Sequence, residues 1–136
     1  MSLTFSQAVR NALLGGSESY ATFLNGGTLV IYSGVEPTNA DTALAGNTVL
    51  ATLTFSATAF AAVVGGVPSS ITANAIASAN AVASNTATFF RTFTSAAGVV
   101  EQGSVTATGS GGDLQLNTTT IVTGGPVNIS SLVRTL

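Results

Sequence analysis

The sequence predicts a mainly β chain: an antiparallel β-sandwich of jelly-roll type, entered through a short N-terminal helical segment. Three observations carry that prediction. In Thr48–Phe55, Val49, Ala51, Leu53 and Phe55 alternate with Thr48, Leu50, Thr52 and Thr54, the period of two that lays one strand face on a core. Similar short runs recur down the rest of the chain between glycine-based turns, the pattern of a sandwich. Helical spacing is confined to the residues before Gly27. The chain therefore divides into a helical segment, residues 1–27, and a β-sandwich, residues 28–136.

In residues 4–24, Phe5, Ala8, Val9, Ala12 and Leu13 fall on one helical face. Thr4 is the expected N-cap, and Gly15-Gly16 ends the run. Ser17-Glu18-Ser19 then opens a second short helix carrying Tyr20, Phe23 and Leu24. Such a pair can cap the open end of the sandwich or dock on a partner, and capping is the commoner outcome. Thr28–Ser33 is apolar on both sides, as in a central or covered strand. The loop Gly34–Gly46 is long for a hairpin, which marks it as shaped or functional. The Ala-dense run over 69–84 allows a helix on propensity alone, but Ile71, Ala73, Ala75 and Ala77 alternate with Thr72, Asn74, Ile76 and Ser78 among β neighbours, which favours a strand over 69–77 and then a Ser/Asn-rich loop. Thr86–Thr94 predicts a strand with Ala87, Phe89, Arg91 and Phe93 on one face, turning through Ser95–Gly98 into an antiparallel strand Val99–Thr108. Leu114 and Leu116 mark a short strand. In the last run, Val127–Leu136, the apolar phase changes at Ser130-Ser131, where a bulge or a change of sheet is expected.

Composition narrows function by exclusion. Only 6% of the 136 residues are charged, where roughly 25% is usual. There is no Lys, His, Cys or Trp; the cations are Arg10, Arg91 and Arg134, the acids Glu18, Glu36, Asp41, Glu101 and Asp113, and the net charge is −2. Three arginines cannot build a nucleic-acid surface. Disulfides, thiolate zinc sites and histidine metal sites have no ligands here. Mean hydropathy is +0.54, yet no apolar run reaches the roughly 18 residues of a membrane span. The N-terminus has no basic stretch ahead of its apolar residues, as a signal peptide would. A surface of Ser, Thr, Asn, Gly and Ala is soluble without being repulsive, which suits a subunit packed against others.

No chemistry-bearing constellation emerges, so no enzyme, cofactor or metal is expected. A nucleophilic serine would lack its base, and the five acids are scattered. Asp113 in SGSGGD has no second acid nearby to share a cation and reads as an Asx-type turn residue. Thr-x-Thr pairs recur, but too irregularly for an ordered ice-binding array. Phe89-Phe90-Arg91 stands out. One phenylalanine fills the core, and the other shares a face with Arg91 and Phe93, the composition of an interface hot spot unless a second layer, such as the N-terminal helices, covers it.

Several motifs occur in a fixed order: a helical start AVRNALL; IYSG-x-x-P; A-D-x-A-x-x-G leading to L-A-T-L-x-F; T-A-x-x-F-R-x-F at Thr86–Phe93; and G-x-D-L-x-L-N-T-T-x-I-x-x-G at Gly111–Gly124. Together they resemble small virion structural proteins of tailed bacteriophages and prophages. The resemblance spans nearly the whole chain, and its motifs are structural rather than catalytic. It implies a head decoration (cement) protein on the capsid surface, a homotrimer bridging major capsid subunits, with a tail or fibre component that binds a host glycan as the alternative. It points to Phe5, Arg10, Leu13 and Leu14 as contact residues, with Glu36 and Asp41 of the long loop as further candidates beside Phe89, Arg91 and Phe93, which their composition already singles out.

Overall fold

The computed structural model describes residues 3–16 and 18–136. Those residues form a mainly β fold with two short helices near the start. The main sheet has seven strands. β1 (Thr4–Phe5), β2 (Thr28–Ser33), β3 (Thr48–Thr54), β7 (Phe89–Phe93), β8 (Val99–Ala107), β9 (Leu114–Leu116) and β12 (Ile129–Ser131) make it up, in the order β12-β9-β8-β7-β2-β3 with β1 beside β8. Three two-stranded ladders complete the fold: β4 (Ser70–Thr72) with β13 (Val133–Thr135), β5 (Ala79–Asn80) with β11 (Pro126–Val127), and β6 (Asn85–Thr86) with β10 (Thr120–Ile121). Leu29, Ile31, Leu53 and Phe90 of the sheet join Ile71, Ala81, Ile121, Val127 and Leu132 in one buried core. The core is a sandwich filling, as the alternating pattern required.

The N-terminal segment caps this core. Helix α1 (Gln7–Gly15) contributes Val9, and Leu24, just past α2 (Tyr20–Phe23), is equally buried. Thr4 is not the N-cap. It pairs with Gln102 in β1, and Ser6 takes the capping role, its Oγ accepting from the Val9 N–H. Of the expected apolar stripe on α1 only Val9 is fully buried; Ala8 and Leu13 face out. The expected start of the second helix at Ser17 lies outside the described residues.

Elsewhere the departures have local causes. In β3 the pairing slips opposite Ile31/Tyr32. One extra residue there reverses the side-chain phase, so Leu50 is buried and Val49 exposed. The strand expected over 69–77 stops at Thr72, because Asn74 turns its backbone N–H to Ala59 O and its side chain to Thr58 O. The expected strand 86–94 is two strands. Ala87 donates to Thr119 O, and the chain then crosses to the main sheet, where Thr88 donates to Tyr32 O. The β7–β8 hairpin is antiparallel as expected, but β8 and β9 run parallel. The phase change near Ser130-Ser131 is present as a register shift between Ile129 and Ser131, after which Leu132 and Arg134 turn inward.

Candidate functional site

The polar chemistry of the chain is organised by two consecutive residues in the middle of β8. Glu101 and Gln102 are both 0% exposed, and neighbours on a strand point to opposite faces. Glu101 therefore enters the core and Gln102 the outer face of the sheet. Each meets an arginine.

On the core side, Arg134 Nη2 donates to Glu101 Oε1 at 2.7 Å and Nε to Oε2 at 3.1 Å, a two-pronged ion pair. Arg134 Nη1 also donates to the backbone carbonyls of Asp113 and Val133, and its guanidinium lies 5.6 Å from the centre of the Phe90 ring. Tyr20 sends its hydroxyl to Glu101 Oε2 at 3.0 Å. Burial works against the Arg134 charge, but the Glu101 carboxylate outweighs it and holds the guanidinium above its ordinary value. For Tyr20, burial first and the Glu101 charge second push the phenol well above 10.0. This cluster joins three separate parts of the chain: α2, β8 and β13.

On the outer side, Arg91 Nε donates to Gln102 Oε1 at 2.8 Å and Nη2 to the carbonyls of Thr42, at 2.5 Å, and Asn39. Gln102 Nε2 in turn donates to Pro37 O and, at 3.3 Å, to Glu36. Burial lowers Arg91 from its ordinary value and raises Glu36 from its own. These bonds pin the loop 34–47 over the sheet. Arg91 is thus only 4% exposed, and Phe89 is buried against Tyr32, ring centres 5.0 Å apart. An exposed Arg91 among aromatics was one expectation. The covering layer is instead present, and it is the long loop rather than the N-terminal helices. Phe93 alone of the three stays half-exposed.

The loop is tied to the helical segment as well. Asp41 Oδ2 accepts from the Gln7 N–H at 2.9 Å and faces Arg10 at 3.5 Å, while Arg10 also donates to Phe5 O. Glu36, Asp41, Arg91 and Arg10 are thereby brought into one region. Phe5, Leu13 and Leu14 belong to another. Leu13 and Phe5 line an apolar groove of about 420 Å³ between the N-terminal segment and the β4–β13 ladder. Leu3, Ala21, Val63, Ile71 and Leu136 supply most of its remaining apolar wall. Leu14, the next residue along α1, is 88% exposed and is not part of the groove lining. Arg134 and Tyr20 reach the groove from the ion cluster. Their hydrogen bonds to Glu101 leave the groove offering mainly apolar contact.

Asp113 does not cap its own turn. Its Oδ2 accepts from both the N–H and the hydroxyl of Ser104, across from β8. Gly103 makes this approach possible, since a Cβ there would sit 2.9 Å from the Asp113 carboxylate. Among the described residues no group of three potential metal ligands occurs. The Tyr20–Glu101–Arg134 cluster was missed in the sequence, although two signals were present. An acid sits within the apolar run VVEQGSV, and Arg134 shares its phase with Leu132, a core residue.

Comparison of the chain with protein-family models, with curated proteins and with solved structures returns no match.

Proposed function

We propose that this chain is a virion structural protein of a tailed phage, a non-catalytic head decoration protein that lies on the capsid surface and bridges major capsid subunits and neighbouring copies of itself. The observation that carries the reading is the disposal of charge. All three arginines are engaged inside the chain, by Asp41, by Gln102 and the loop carbonyls, and by Glu101. What else faces outward is mostly hydroxyls, amides and an apolar groove, with Glu18 and the Arg10–Asp41 pair as the exposed charges among the described residues. Such a surface has little to repel a neighbour and suits standing contact. The motif resemblance over Gly27–Phe60, Thr86–Phe93 and Gly111–Gly124 supports the same reading. The mechanism is mechanical: weak contacts repeated over a shell add through multivalency. The second reading, a tail or fibre component that binds a glycan, draws on the shallow hollow of the outer sheet face, where Tyr32 and Phe93 lie among Thr28, Thr52 and Thr94.

Immunogold electron microscopy of phage particles from the source strain tests the proposal. Dense label over the heads is expected. Label confined to tail tips would favour the glycan reading, and particles without label would overturn both.

A further inference from the structure

The chain contains a single Asn-Gly step, Asn25-Gly26, in the turn that carries α2 into β2. Asparagine before glycine is prone to deamidate, because no side chain obstructs the glycine nitrogen as it attacks the asparagine Cγ. The turn nonetheless requires these glycines. Gly26 has a φ of +65°, and a Cβ on Gly27 would collide with Phe93 O. We infer that Asn25 is a latent modification site, which the fold keeps closed by tying both reacting groups to the segment 56–59.

The ties are specific. The Gly26 N–H donates to Ser56 O at 3.0 Å, and Asn25 Oδ1 accepts from the Ala59 N–H at 2.8 Å. Ring closure requires the nitrogen to lose its proton and the side chain to swing onto it, which gives up both bonds. The segment is in turn held by Asn74, whose N–H donates to Ala59 O and whose Nδ2 donates to Thr58 O, each at 2.8 Å. The rate of modification is therefore set by how often this segment lifts away from the turn, a local opening rather than global unfolding. In the open state the Gly26 nitrogen bonds to Asn25 Cγ, and its proton and the side-chain amide leave together as ammonia. Water then opens the succinimide at either carbonyl, giving aspartate or isoaspartate at position 25. Aspartate still offers an acceptor to the Ala59 N–H. Isoaspartate adds a carbon to the main chain inside a turn closed by the Gly27 N–H on Leu24 O, where Leu24 is fully buried. That product cannot restore the turn, so each opening carries a risk of permanent damage to the cap of the core. The inference is independent of the virion reading.

Peptide mapping by mass spectrometry, on the full chain aged in mildly alkaline buffer with and without guanidinium chloride, tests it. In denaturant Asn25 should deamidate ahead of the other asparagines and give both products. In native buffer its rate should be at least about tenfold lower, as expected when two hydrogen bonds must first break. Asn74→Ala alters an exposed side chain and removes one tie on the segment. It should raise the native rate about two- to tenfold and leave the rate in denaturant unchanged. Arg91→Met, which loosens the loop 34–47 instead, should leave the native rate at Asn25 as it is. A native rate equal to or above the denatured one would overturn the inference, since the Ala59 N–H would then be activating the amide rather than anchoring it. An unchanged native rate in Asn74→Ala, or equal acceleration in Arg91→Met, would overturn the local gate.

Discussion

At the residue scale, Tyr20 ties stability to alkaline pH. Its phenol is held protonated in the folded protein well above its usual 10.0, by burial and by the Glu101 carboxylate. The folded state thus keeps a proton that the unfolded chain gives up near pH 10. Stability is fully present below that pH and declines as pH rises towards the folded value. Tyr32, raised by burial, adds to the same decline. Tyr20→Phe should cost about 1.5–3 kcal/mol at neutral pH, the usual worth of a hydrogen bond to a charged group. Its deficit relative to the natural chain should then narrow above pH 10, because the variant has no phenol to ionise at this position. Urea unfolding between neutral pH and pH 11 reads both effects, and a deficit that stays constant with pH would refute the assignment.

At the element scale, the loop 34–47 behaves as a lid stitched to the sheet by Arg91. With the guanidinium removed, Thr42 O loses its side-chain donor, Asn39 O keeps only the Thr42 N–H, and Gln102 Oε1 loses its buried partner. Arg91→Met fills comparable space without the bonds. It should cost about 2–3 kcal/mol and raise hydrogen exchange selectively over residues 34–47, leaving the amides of β2 and β8 protected. Exchange that rises uniformly would mean Arg91 supports the whole sheet rather than the loop. The same elements show what was legible in the sequence. The two-sided apolar character of β2, the alternation of β3 beyond its bulge, the β7–β8 hairpin and the break near Ser130 are effects of local pattern. The lid role of Arg91 is not local, since its partners lie 49 to 52 residues away. An arginine flanked by phenylalanines looks the same in sequence whether a loop covers it or a partner does. The division of Thr86–Thr94 between two sheets was hidden for a related reason: each half has proper strand character, and only the distant acceptors Thr119 O and Tyr32 O separate them. Of the candidate site, Leu13 was readable as part of an amphipathic helix, whereas Phe5, assigned to the same stripe, lies in β1. The groove that Phe5 and Leu13 line was not, because its other wall comes from residues 63–71 and 134–136.

At the scale of the whole molecule, the Glu101–Arg134 pair joins the last ladder to the middle of the main sheet. Arg134→Met leaves the Glu101 carboxylate buried with only Tyr20 as partner, and breaking a buried pair from one side costs about 3–5 kcal/mol. The loss should appear as a lower urea midpoint with an unchanged slope. A variant as stable as the natural chain would show the pair to be dispensable. Strand β8 has a further consequence, which concerns how the chain finds its fold. It is the most heavily paired strand, with β7 on one side and β1 and β9 on the other. Its middle residues carry a carboxylate and an amide aimed in opposite directions. Shift β8 by a single residue and the carboxylate leaves the core, Gln102 enters it, and Arg134 is left with an amide where it needs an anion. The strand's apolar residues would tolerate many wrong alignments; this adjacent pair tolerates one. Glu101-Gln102 therefore specifies the register of β8, since only one alignment gives both side chains their arginine partners.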